Sequence, residues 1–132
     1  MNRLVVEQTL QSPKIDFDPD TGILELKGKS IPDRTVDFYS PVMNWIVEYV
    51  KNPASTTTCN FVLEYYNSRT KKYLIEMMKA VNKLTDQGKE LIVNWYYEEG
   101  DEDVQETGQM FKDLLRMDIN IIEIPDGEEF KN

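Results

Sequence analysis

The chain has 132 residues, 40% hydrophobic and 30% charged, a size and balance suited to one globular domain with one core. Its 24 acidic residues outweigh 15 basic ones, and the formal charge of −9 sets up a field that disfavours nucleic-acid phosphates and anionic membrane surfaces as partners. With no histidine and only one cysteine, Cys59, the chain excludes an internal disulfide and a Cys–His catalytic pair.

The first seven residues hold no apolar stretch of signal-peptide length, and no later run could span a membrane, so the expectation is a cytoplasmic protein. Polarity alternates along residues 14–18 and again along 23–28, with the turn formers Pro19, Asp20, Thr21 and Gly22 between them, which predicts a β-hairpin. Ser40 and Pro41 then predict a helix start, serine as the cap and proline at the first helical position. Val42, Trp45, Ile46, Tyr49 and Val50 lie on one stripe of that helix, which Asn52 and Pro53 stop.

Residues 61–66 are almost all apolar and predict a central strand buried on both faces. A long helix follows, with Ser68 as its cap, Leu74, Met77, Met78, Val81 and Leu84 inside, and Gly88 as its terminator. Residues 91–96 predict the next strand. The third helix has Val104, Gly108, Phe111 and Leu115 on its inner face, and residues 119–124 predict the last strand. The polar tail, 125–132, is expected to be loose. A hairpin followed by alternating helices and strands predicts an α/β mixed sheet with the helices mainly on one face. The expectation is a single domain over 1–132, its core at about 13–124.

Three places carry candidate chemistry. Glu98, Glu99, Asp101, Glu102 and Asp103 could bind a hard cation and serve a small metal-assisted enzyme, but they lack the ligand spacing of a calcium loop. Acidic residues ahead of a helix also complement its dipole, and that reading is preferred, with a partner-facing acidic surface as the middle case. Trp95, Tyr96 and Tyr97 could stack a planar ligand, yet alternating faces make them half core and half surface. The third place is Asn67, Ser68, Arg69, Thr70, Lys71 and Lys72, where a strand passes into a helix. Capping explains a serine there, and a helix start also favours an added phosphate. No phosphate-binding glycine loop is present, and the motifs imply no cofactor and no metal, which favours a binding module over an enzyme.

The residues also resemble a known family. The match runs through Ile15-Asp16-Phe17-Asp18-Pro19, Gly22-Ile23-Leu24, Gly28-Lys29-Ser30-Ile31-Pro32 and Phe38-Tyr39-Ser40-Pro41-Val42. It continues through Trp45, Tyr65-Tyr66-Asn67-Ser68, Lys72, Trp95-Tyr96-Tyr97, Asp101-Glu102, Glu106, Gly108 and Phe111. Together these are similar to the SiaC family of bacterial regulatory phosphoproteins, with a fold like that of STAS domains. The resemblance implies a non-enzymatic, partner-switching protein acted on by a protein kinase and a metal-dependent serine/threonine phosphatase. Its unphosphorylated form would bind and activate a signalling protein, a diguanylate cyclase in the best-known system, and so promote cyclic di-GMP signalling and biofilm. A second copy of the chain is a further candidate partner. The phosphoacceptor in the family lies in an Asn-Thr-Ser-Ser-type motif after the central strand. Here that segment reads Asn67-Ser68-Arg69-Thr70, so the resemblance implies Ser68 as acceptor and Thr70 as fallback. Arg69 stands where the family has a small hydroxyl residue. Tyr97, Glu98, Asp101 and Glu102 are the candidate partner surface.

Overall fold

Local alternation builds the N-terminal part of the sheet. In the computed structural model, which describes residues 1–128, β2 (Lys14–Asp18) and β3 (Ile23–Ser30) form the expected antiparallel hairpin. A short strand that the sequence pattern did not announce, β1 (Leu4–Val6), pairs antiparallel with β2. It is held by Arg3, whose guanidinium makes two 2.8 Å hydrogen bonds to the Asp16 carboxylate, and by the Trp45 indole N–H, which donates to the Asn2 carbonyl.

From β3 onward the chain alternates: α1 (Thr35–Tyr49), β4 (Thr56–Tyr66), α2 (Ser68–Asp86), β5 (Glu90–Glu98), α3 (Glu102–Leu115) and β6 (Asn120–Ile124). The strands lie in sequence order in one six-stranded mixed sheet, parallel from β3 to β6. All three helices contribute to one core against one sheet face. Ile15, Phe17, Leu24, Leu26, Phe61, Leu63, Val93 and Trp95 form its floor, with Ile46, Met77, Met78 and Phe111 above. Cys59 is part of this floor, and burial pushes its thiol up to about 12, as expected for a small apolar filler.

Two expectations need correction. Helix α1 starts at Thr35, five residues before Ser40, and runs through Pro41. Pro41 cannot supply an N–H to the Asp37 carbonyl, a cost the helix bears because the preceding turn is anchored. Tyr39 in that turn is fully buried and stacks on Tyr73 of α2 at 5.0 Å, so packing overrides the local start signal. The central strand also begins earlier, at Thr56, and is buried on both faces only over residues 59–63. The sheet's other face carries a polar row in register, Asp16, Glu25, Asn60, Asn94 and Asn120. There the Asn94 amide donates to Asn60 at 2.9 Å, and the Asn120 amide donates to Asn94 at 3.0 Å. Of the tail expected to be loose, residues 125–128 hold a turn closed by the Glu128 N–H on the Pro125 carbonyl. Residues 129–132 lie outside the described residues.

Candidate functional site

The end of β4 is reshaped by one extra residue. Gly28 pairs with Leu63 but Lys29 pairs with Tyr65, so Glu64 is a bulge and the strand's facing changes after it. Tyr66 therefore turns inward, edge-on to Trp95 at 5.9 Å, and Tyr65 is left 57% exposed. Trp95 in turn meets Phe111 at 5.3 Å and donates its indole N–H to the Val104 carbonyl at 2.8 Å, locking α3 to the sheet. The bulge delivers Asn67 to the start of α2 from this rigid base.

Asn67, not Ser68, is the cap. Its backbone is extended, and its side-chain oxygen accepts a 2.9 Å hydrogen bond from the Thr70 N–H. The expectation of Ser68 as cap misses by one position. Its physical reason is the Asn67 N–H, which donates to the Ser30 carbonyl at 3.3 Å and pins Asn67 at the boundary. Ser68 becomes the first helical residue, with an exposed side chain. Thr70 points the other way and is fully buried. Its hydroxyl donates to the Ser30 carbonyl at 2.9 Å and lies 2.8 Å from the Ser30 hydroxyl, which is 2.6 Å from the Tyr39 hydroxyl. Burial pushes the Tyr39 phenol up to about 12, and its hydrogen bonds only partly offset this.

Within α2 itself, charge at the helix start is one-sided. Helix α2 has no acidic residue in its first turn, while Lys71 and Lys72 stand three and four positions after Ser68, on the same side of the helix. Among the described residues, Arg69, Lys71 and Lys72 make no salt bridge. Arg69 lines an open concavity of about 420 Å³ with Asp33 and Asp37. Lys71 lines a groove of about 650 Å³ between the starts of α2 and α3, shared with Tyr65, Tyr66, Asp101, Asp103 and Met110.

The acidic loop behaves as dipole chemistry predicts. Asp101 caps α3 by accepting from the Val104 N–H at 3.2 Å, and Glu102 and Asp103 occupy its first turn. Among the described residues, no three carboxylate or cysteine groups converge where a metal ion could sit. The aromatic run divides as expected: Trp95 is buried, and Tyr96 and Tyr97 are half-buried. The four candidate partner-surface residues follow one another from the end of β5 into the start of α3. Tyr97 and Glu98 line a separate cavity of about 220 Å³ with Gln8, Lys27 and Val62, Asp101 lines the groove beside Lys71, and Glu102 is exposed on α3. Sequence reasoning also missed the roles of Ser30 and Tyr39. The available signal was Ser30 itself, which follows Leu24 and Leu26 on the inward parity of β3, where a hydroxyl requires a partner.

The profile of the SiaC family regulatory phosphoproteins matches residues 6–124, nearly the whole sheet and every helix. The chain belongs to the SiaC family. An uncharacterized protein of Pseudomonas aeruginosa strain UCBPP-PA14 is 21% identical over 113 residues, 86% of this chain and 90% of that protein. Apo-SiaC from Pseudomonas aeruginosa superposes with a TM-score of 0.82 at 20% identity, covering 92% of this chain and 99% of that one. A chain from the crystal structure of diguanylate cyclase SiaD in complex with its activator SiaC, from the same organism, gives 0.84 at 20% identity with the same coverage. This SiaC-like fold holds the family's expected hairpin and alternating helices and strands. Among the described residues, no helix is long and apolar enough to cross a membrane.

Proposed function

We propose that this SiaC-family protein is a cytoplasmic, non-enzymatic switch whose partner binding is set by reversible phosphorylation of Ser68. A protein kinase adds the phosphate and a serine/threonine phosphatase removes it. The unmodified form binds and activates a signalling enzyme, a diguanylate cyclase by analogy with the SiaD that SiaC activates in Pseudomonas aeruginosa. One observation carries this reading. Of the two hydroxyls between Asn67 and Lys71, Ser68 is exposed at the first position of a helix whose opening turn holds cations and no acid, and Thr70 is buried in hydrogen bonds.

Phosphate adds about 1.5 to 2 negative charges, which the helix dipole and Lys71 or Lys72 would stabilise, so the modified domain stays folded. The partner surface changes more than the fold, because a docked partner would have to strip water from a dianion. Asp101, Asp103 and the exposed Tyr65 border the same groove as Lys71 and would form part of that surface. Phosphopeptide mapping after reaction with the cognate kinase tests the assignment. Phosphate should appear at Ser68 and vanish in Ser68→Ala, and that variant should still capture the partner. Phosphate confined to sites outside residues 67–70, or full phosphorylation of Ser68→Ala, would refute it.

A further inference from the structure

The buried hydroxyls beneath Ser68 have only one consistent arrangement of protons. A carbonyl can only accept, so the single Thr70 hydroxyl proton goes to the Ser30 carbonyl at 2.9 Å. Thr70 must then accept from the Ser30 hydroxyl at 2.8 Å, and Ser30 in turn must accept from Tyr39 at 2.6 Å. The chain runs Tyr39 to Ser30 to Thr70 to the Ser30 carbonyl, tying α1, β3 and α2 together. All three side chains are fully buried, so no water can replace a missing member. The Ser30 carbonyl also accepts the Asn67 N–H, so Ser30 grips both the cap residue and the third residue of the helix.

We propose that Ser30 and Thr70 are positioning residues of the phosphorylation switch, fixing the first turn of α2 so that Ser68 is held outward at the free helix start. The inference rests on the Ser68 reading above. The hydroxyl chain holds Asn67 at the boundary and aims the opening N–H groups outward. A phosphate on Ser68 then meets an ordered helix terminus and not a frayed one. Thr70 is thereby removed as a competing acceptor, because phosphorylating it would require breaking this chain and opening the turn.

The test uses the full chain, with and without phosphoserine incorporated at position 68 during translation, in wild type, Thr70→Val, Thr70→Ser and Tyr39→Phe. In Thr70→Val the Lys71 amide should exchange about tenfold faster, the equivalent of one lost hydrogen bond, while the Met77 and Met78 amides keep their protection. By phosphorus NMR the wild-type phosphate should titrate below its ordinary value of about 6, and Thr70→Val should move it back toward that value. Thr70→Ser should restore both readouts, and Tyr39→Phe should shift both in the same direction by less. The proposal is overturned if Thr70→Val leaves the Lys71 amide and the phosphate titration unchanged, or if protection falls evenly along all of α2. Should Thr70→Val fail to fold, Tyr39→Phe carries the same two readouts, and no change in either overturns it. Kinase mapping that placed the phosphate elsewhere would end the Ser68 reading but leave these measurements of the helix start intact.

Discussion

Helices α2 and α3 begin alike: each follows a parallel strand, and each opens on a short polar side chain that accepts from the N–H three residues on. Asn67 does this for Thr70, and Asp101 does it for Val104. Their electrostatics then diverge. The first turn of α3 holds Glu102 and Asp103, so its dipole is already answered by carboxylates. The first turn of α2 has no acid and is followed by Lys71 and Lys72, so its positive end stays open. The two starts share the walls of one groove, Lys71 on one side and Asp101 and Asp103 on the other. An anion is therefore welcome at one helix start and repelled at the other. That asymmetry supports α2 as the seat of the proposed phosphate switch, with α3 as the wall against which an added charge would register.

The largest effect on this arrangement should come from the seat of α3. Gly108 packs on the indole of Trp95, and a methyl there would come within 2.7 Å of Nε1 and 2.9 Å of the Ile121 side chain. Trp95 cannot retreat, being 1% exposed and bonded to the Val104 carbonyl. Gly108→Ala should therefore push α3 off the sheet and cost about 1–3 kcal/mol, the usual penalty for overpacking, read as a lower urea midpoint. An unchanged midpoint would mean that α3 is free to shift, and that the groove is not a fixed surface.

The caps come next. Asn67→Ala and Asp101→Ala should each cost about 0.5–2 kcal/mol by chemical denaturation. Added salt separates them. The Asp101 loss should shrink in high salt, because part of its contribution is charge against dipole, while the Asn67 loss should hold. Equal salt sensitivity would remove the electrostatic distinction between the two helix starts.

How far the sequence foretold these two starts depends on the range of the forces involved. The α3 start was legible to within a turn because its signals are local, an acidic run and an apolar stripe beginning at Val104, although Glu102 and Asp103, expected ahead of the helix, lie in its first turn and Asp101 caps it. The α2 start was legible to within one residue. Asn67 and Ser68 are both good capping residues, and only the distant Ser30 carbonyl decides between them. The bulge at Glu64 was hidden, because one charged residue in an otherwise apolar run does not show that an extra residue has entered the strand. Strand β1 was missed because a three-residue strand exists only through its pairing with β2 and its tie to Trp45. Helix α1 was started late because the burial of Tyr39 against α2 is a tertiary contact. The exposed hydroxyl at Ser68 could be nominated from the family motif, but its separation from the buried hydroxyl of Thr70 needed the three-dimensional register of β3.

The smallest effect is the most specific. Ser68→Ala should change stability by no more than about 0.5 kcal/mol, since Ser68 is exposed and Asn67 does the capping. Were Ser68 the cap after all, the same substitution would typically cost about 1 kcal/mol. Ser68→Asp should go the other way and stabilise the domain by about 0.3–1 kcal/mol at low ionic strength, because a carboxylate at the first helical position answers an open dipole. Raising the salt should erase that gain. The same substitution should weaken capture of the signalling partner, so fold stability and partner affinity should move in opposite directions. This opposition separates a switch from simple damage. A variant that bound less because it was partly unfolded would lose both together, and thermal denaturation measured beside a pull-down would show it. If Ser68→Asp destabilises the fold, the open helix start does not accept an anion, and the contrast between α2 and α3 fails at its central point.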